Sequence, residues 1–539
     1  MTKKAISLIL AIVLVFSTVF CCAIVTQADY GGDIPVIYII GQGSPLGIKQ
    51  EDGTYKAVNY KVDTSAITSK VLANKELFVK AFFTQDWTLV DDLIVEIMTD
   101  MMKEIALNDS GEPKDGSEVA WNPTLQYCKN RYKNADKYGL MTFVFYYDWR
   151  LDPKENMDEL RDYIDMVLEA TGKDKYAMCA RCEGSNLALE YMYMYPDDTR
   201  LTDVIMYASG ALGCKPLGEV YAGEMHLDPD AVEMFLYDTD FNLEKDVGPF
   251  TITDNTLRQI ITIASNVCGL DLALWTVENV YEQVYMDVVP EAMINSYGSF
   301  PGYWTMVADK FYEKGKQNVF GSDPKYAKMI EKIDDYHYNV GVHTEEILKN
   351  AQANGVEIYN IVKYGKAMAP VVEDYNQQSD MICTVADASW GATSSKLNET
   401  FSKEYIKKAE ANGTAKYISP DKCIDASTTF LKDTTWFVKN LGHKNFSESV
   451  EPLIFAMVNI DGFNIDSLSY YPQYLYYDEE TDTIAPLDPQ AHITNIDVYN
   501  TKVPKSIPRK LKPIFKVLYW FNVFIIKLLT RPAKTGISK

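Results

Sequence analysis

The segment Tyr176-Ala-Met-Cys-Ala-Arg-Cys182-Glu-Gly184-Ser-Asn-Leu-Ala188 constrains the fold more than any other part of the chain. Ala177, Met178 and Cys179 read as a buried strand, whereas Gly184, Leu187, Ala188 and Tyr191 have the spacing of a helix packed closely on a sheet and stopping before Pro196. Between them lies an abrupt strand-to-helix turn, which leaves no room for bulk two residues on either side of its apex. Ala180 and Gly184 meet that demand around Cys182. The pattern is that of a nucleophile elbow with a thiol as the attacking group.

The rest of the chain supplies the sheet that such an elbow needs. Ile34-Pro-Val-Ile-Tyr-Ile-Ile40 is a continuous apolar strand opening into Gly41-Gln42-Gly43-Ser-Pro, a loop of little side-chain bulk whose backbone N–H groups can face a ligand. A helical stretch from about 65 to 106 and a polar loop to about 118 follow. Leu140 to Tyr147 reads as a second buried strand. Asp152, Pro153 and Glu155 stand where an N-cap, a first helical residue and a capping-box acid belong. The helix they open carries Met157, Leu160, Ile164, Val167 and Leu168 on one stripe and ends at Gly172. Strand, helix and strand in this order make a parallel crossover. Further strands are expected over 202–207, 356–365, 414–418 and from Trp436, with mostly helical spacing from 215 to 353. The fold class implied is α/β: a mostly parallel sheet flanked by helices, with a large helical insertion.

Charge and the termini add the compartment. Lys3 and Lys4 precede an apolar run from Ala5 to Val25, and Thr26-Gln-Ala28 offers the small residues that a signal peptidase reads. Export is expected, to the outside or to the outer face of the cell membrane, with an uncleaved anchor as the alternative. The net charge of −23 conceals an asymmetry, because ten Lys/Arg and no Asp/Glu lie in 501–539, leaving 42 − 75 = −33 for the remainder. So acidic a body repels nucleic acid. The basic tail, with Lys505, Arg509, Lys510 and Lys512 ahead of the apolar, aromatic run 514–529, suits an anionic membrane surface. Its competing reading is a helix docked on the protein's own core. The nine cysteines are scattered, and with Cys21 and Cys22 in the signal an odd seven remain, so no disulfide framework is implied.

A cysteine nucleophile needs a base and a group to orient that base. Of five histidines, His226, His337 and His343 fall in the helical insertion and His492 in a polar extension. His443 alone lies just past a late strand, where a base belongs. For the acid, Asp421 comes first after the strand expected at 414–418, with Asp425 as fallback. Asp380 and Asp387 sit in an insertion with a weaker strand pattern and rank below both. Donors for an oxyanion are the backbone N–H of Glu183, which follows the thiol, and that of Gln42 or Gly43.

Taken together, Tyr147-Asp-Trp-Arg-Leu-Asp-Pro153, the elbow after it, Pro35-Val-Ile-Tyr-Ile-Ile-Gly41, Gly355-Val-Glu-Ile-Tyr, the Asp421 loop and His443 with Asn445-Phe446 resemble the lecithin:cholesterol acyltransferase family of α/β-hydrolases over most of residues 34–455. The resemblance implies an α/β-hydrolase fold and acyl transfer or hydrolysis on lipid or other acyl esters. It implies a covalent acyl-enzyme with no metal and no cofactor, Cys182 as nucleophile, Asp421 as acid and His443 as base. Two departures stand out: the family's serine in Gly-x-Ser-x-Gly is Cys182 in Ala-Arg-Cys-Glu-Gly, and Ile40 replaces a common proline. The organisation expected is a signal over 1–28, core over 29–214, helical cap over 215–353, core over 354–455, polar extension over 456–500 and membrane-associating tail over 501–539. Two other classes compete. Cys179-Ala-Arg-Cys182 is formally a C-x-x-C redox motif, and Glu183 beside the thiol would oppose its ionisation, as in an inactive, membrane-tethered binding protein.

Overall fold

The computed structural model describes residues 34–58, 69–119, 142–239 and 288–502, apart from isolated positions within those ranges. The expected signal, the tail beyond Lys502, the middle of the expected cap and Cys21, Cys22, Cys128 and Cys268 lie outside them. Among the described residues no helix is long and apolar enough to cross a membrane.

The main sheet has eight strands: β1 Val36–Ile39, β2 Thr142–Phe145, β3 Tyr176–Arg181, β4 Leu201–Tyr207, β5 Glu357–Tyr364, β6 Thr435–Lys439, β7 Tyr474–Asp478 and β8 Thr483–Pro486. Their order across the sheet is β2-β1-β3-β4-β5-β6-β7-β8. All neighbours run parallel except the terminal hairpin of β7 and β8. Both faces of the sheet are covered here, which is why β1, β3 and even the edge strand β2 are buried along their whole length and read as unbroken apolar runs rather than alternating ones. The protein is thus an α/β fold in which successive strands feed flanking helices.

The first crossover forms as its sequence dictates. Asp152 and Glu155 make a reciprocal capping box around Pro153. The helix Met157–Thr171 buries Met157, Leu160, Ile164, Val167 and Leu168, and it stops at Gly172 in the left-handed region at φ 67°. The stretch around Tyr147–Pro153 also anchors neighbouring backbone. Arg150 grips Asp148 and reaches the Ile105 and Ser117 carbonyls, tying a small three-stranded sheet (Leu46–Lys49, Tyr55–Ala57, Ser117–Val119) to the core.

Three expectations differ from what is observed. Residues 414–418 are not a strand; Ala415–Tyr417 is a single 3-10 turn after the helix Lys403–Ala411, with Gly413 at φ 71° reversing the chain. Tyr417 is buried there, hydrogen-bonded to Asp433, so its apolar flank imitated a strand. Residues 456–500 are more than an extension, since they supply β7 and β8. Within 215–353, the described helices Asp309–Phe320 and Ala327–Asn339 bury side chains in the same core as the sheet, and Thr344–Ala353 is the helix leading into β5.

Candidate active site

The chain leaves β3 at Arg181 and turns at Cys182, whose φ of 53° lies in the left-handed region that a cysteine enters only when its surroundings impose it. The helix Gly184–Met194 follows at once. A side chain at position 184 would put Cβ 2.4 Å from the Ile39 carbonyl oxygen, so glycine is obligatory for so close an approach to β1. The turn is pinned on both sides: the Cys182 N–H donates to the Tyr207 carbonyl at 3.1 Å, and the Cys182 carbonyl accepts from Ser185 N–H at 3.1 Å. The thiol is left partly exposed at the C-terminal edge of the sheet.

His443 meets it. Nε2 lies 2.9 Å from Cys182 Sγ, and Nδ1 lies 2.7 Å from Asp380 Oδ2. A second link fixes the same two loops, because the His443 backbone N–H donates to the Asp380 carbonyl at 2.8 Å. The other carboxylate oxygen of Asp380 accepts from the N–H groups of Ile382 and Cys383 at 3.1 and 2.8 Å. Asp380 is therefore buried yet fully hydrogen-bonded as an anion. Thiol, imidazole and carboxylate stand in line, the geometry of a nucleophile, a base and the base's orienter.

This corrects the acid. Asp421 does not reach His443; it forms an ion pair with Lys439 at 3.1 Å and accepts from the Tyr364 and Ser419 hydroxyls. Lys439 in turn reaches Asp497 on the helix Asn495–Lys502 at 3.3 Å. Asp425 receives Tyr405 and the Ser427 N–H, and Asp387 is capped by Thr384. The error traces to the strand misread at 414–418. Without it, the last main-sheet strand before β6 is β5, and the long connection after β5 is the one that carries Asp380.

The charges agree with the geometry. Burial works to raise the Cys182 thiol, but the His443 charge, the His443 hydrogen bond and the Glu183 backbone N–H outweigh it and hold the thiol below its ordinary value. Burial works to lower His443, while Asp380 and Cys182 raise it to about 10. Asp380 is held low against its own burial by His443. A thiol held low beside an imidazole held high is the electrostatic signature of an activated cysteine.

Burial pushes the Glu183 carboxyl well above the carboxylate range, with Cys182 and Asp148 adding to the rise, which favours its neutral form beside the thiol. Its Oε2 has no hydrogen-bond partner, and Gly302 leaves the space against Oε1. An amide has the shape of a neutral acid, so Glu183→Gln is expected to keep kcat/KM within about threefold, under ~0.7 kcal/mol. A larger loss, measured on an ester that the wild type turns over, would show that the ionised form is needed.

The backbone groups expected as oxyanion donors border the elbow. The Glu183 N–H bonds the thiol. Gly41 brings the loop after β1 against the elbow, for a Cβ there would lie 3.2 Å from both Cys182 Cβ and Glu183 N. Gln42 and Gly43 follow, half-buried, with Gly43 at φ 129°. Above the elbow, Gly302 N–H donates to the Arg150 carbonyl at 3.1 Å, and Thr305 Oγ1 accepts from Asn186 Nδ2 at 2.7 Å. The motif around Tyr147–Pro153 thus seats the segment that roofs the elbow.

The other expected residues stand apart. His337 stacks on Tyr312, His492 stacks on Tyr476, and His226 and His343 are exposed. Cys179 lies inside β3, buried, with its thiol pushed up to about 12 by burial; all five described cysteines are free of disulfides. Among the described residues, Asp380, Cys383 and His443 are the one set close enough to hold a metal ion. Two of its three groups are the hydrogen-bonded pair already assigned to the line from Cys182.

Sequence reasoning missed the polar groups beneath the site. Arg181, one residue before the thiol, is buried and paired with Glu451 at 3.0 Å, stacked 4.4 Å over the Tyr38 ring. Lys363 of β5 is buried beside them. Both were visible only as single charges inside apolar strands.

No family model and no curated protein matches this chain. A solved structure described as the crystal structure of the Tle4–Tli4 complex aligns with 61% of this chain and 74% of its own at 11% identity, with a TM-score of 0.23.

Proposed function

We propose that the protein is an acyl hydrolase or acyltransferase of the α/β-hydrolase type, working through Cys182, His443 and Asp380. The observation that carries this reading is the unbroken line from Cys182 Sγ to His443 Nε2 at 2.9 Å and from His443 Nδ1 to Asp380 Oδ2 at 2.7 Å, set at a sharp elbow on the sheet edge. In this reading the thiolate adds to an ester carbonyl, and the oxyanion is met by the Glu183 N–H and by Gln42 or Gly43. The tetrahedral intermediate collapses with loss of the alcohol, which takes its proton from His443. The product is a thioester on Cys182. A water or a second alcohol, deprotonated by His443, then displaces the thiolate.

The resemblance to the lecithin:cholesterol acyltransferase family supports a lipid ester as substrate, and the signal and basic tail support an exported protein held at a membrane surface. Iodoacetamide mapped to Cys182 should abolish hydrolysis of short-chain nitrophenyl esters in proportion to labelling. Labelled protein that retains its hydrolysis would remove Cys182 from the mechanism, and rapid labelling without turnover of any ester or thioester would favour an inactive binding protein.

A further inference from the structure

Lys363 is a buried amine with no part in the acyl-transfer steps. It is on β5, paired in register with Val438 of β6, and is 1% exposed. Nζ lies 3.3, 2.8 and 2.7 Å from the carbonyl oxygens of Gly442, His443 and Asn445. An ammonium has three N–H bonds, and all three are used on one short loop. The same charge stands 3.9 Å from the Phe446 ring and 4.8 Å from the Tyr207 ring. Among the described residues no carboxylate lies within ion-pair distance of it.

We propose that Lys363 is the positioning residue of this site: as an ammonium it ties down residues 442–446 so that His443 Nε2 meets the thiol, and as a neutral amine it gives up one of the three bonds and lets that loop slacken. The inference rests on Cys182 and His443 acting as a pair, and adds the group that regulates them. The groups facing it come from every neighbouring element: Arg181 and Cys182 from β3 and its turn, Tyr207 from β4, Asp380 and Cys383 from the acid loop, His443 and Phe446 from the tethered loop. Glu451 is taken up by Arg181. Burial pushes the Lys363 amine down, Asp380 raises it, Arg181 lowers it again, and Cys182 and Cys383 raise it, with the outcome at about 7. Under this proposal the three bonds hold while the amine is charged, and one of them is released as it loses its proton. Against its burial, Asp380 and Cys182 push His443 upward, away from neutrality, so the charge-retaining Lys363→Arg variant is what assigns a change near pH 7 to the amine.

The test is the rate of Cys182 alkylation by iodoacetamide against pH, with ester turnover beside it, in wild type, Lys363→Arg and Lys363→Met. In the wild type, alkylation should fall as the pH passes about 7 and recover towards about 8.5, where a free thiol ionises by itself. Lys363→Arg stays charged and should lose that dip. Lys363→Met should be alkylated about tenfold more slowly at pH 6, as expected for a thiol whose pKa has risen by about one unit or more. A wild-type profile without a dip, or an arginine variant that keeps it, overturns the proposal. Alkylation needs only the thiol and the imidazole, so the result stands even if no ester is turned over, which would instead defeat the acyl-transfer reading.

Discussion

Asp380→Asn is expected to lower kcat by about 10³- to 10⁴-fold, with little change in stability, whereas Asp421→Asn should leave kcat within about threefold. The asparagine oxygen can still accept from the Ile382 and Cys383 N–H groups, which keeps the loop in place. Its amide then faces His443 Nδ1 as a donor. The imidazole must turn its lone pair to the amide and carry its proton on Nε2, where it can no longer accept one from Cys182. Asp421→Asn weakens an ion pair with Lys439, which keeps Asp497 as a second partner, so its effect belongs to thermal stability. Kinetics and melting curves on both variants separate the two carboxylates. A larger kcat loss in Asp421→Asn than in Asp380→Asn would return the acid to its sequence-based position.

The second large effect lies beneath the thiol. Glu451→Ala leaves the Arg181 guanidinium buried without its carboxylate and the Tyr38 hydroxyl without its acceptor. Removing one partner of a buried pair costs about 3–5 kcal/mol, mostly through the stranded charge. Arg181 already has Nε and Nη1 without hydrogen-bond partners, so little is available to take up the loss. Replacing both, as Arg181→Met with Glu451→Leu, removes the stranded charge and should recover most of the stability. Denaturation midpoints for the single and double variants measure this. Equal losses in the two would mean that packing, and not charge, holds this region.

The sheet was legible wherever a strand is covered on both faces. β1, β2, β3, β4, β5 and β6 each left a short apolar run in the sequence, bounded by glycine, proline or polar turns. The elbow was legible for a different reason: its geometry excludes bulk, so Ala180 and Gly184 mark it directly. His443 followed from its place behind β6. Asp380 did not, because an acid loop of many residues carries no periodicity, and its place depends on which strand precedes it. Tyr417, buried within a 3-10 turn, and the half-buried Ile418 after it supplied a false strand and drew the acid to Asp421. The electrostatic effect of Glu183 was not legible for a related reason. Its identity is read from the sequence, but its protonation is set by burial, and burial is a property of the fold. Arg181, Lys363 and Glu451 belong to one cluster only in three dimensions, drawn from positions far apart along the chain.

The link from Lys439 to Asp497 bears on orientation. Lys439 ends β6 on the same edge of the sheet at which β3 ends in Arg181 and Cys182. By holding Asp497, it fixes the helix Asn495–Lys502 to that edge, where Ile496 is buried against Met368 and Val371. The described fold therefore ends at the same edge of the sheet as Cys182. In the proposed reading, with the segment after Lys502 engaging a membrane, that attachment starts from the thiol's edge of the sheet and would set which way the thiol faces.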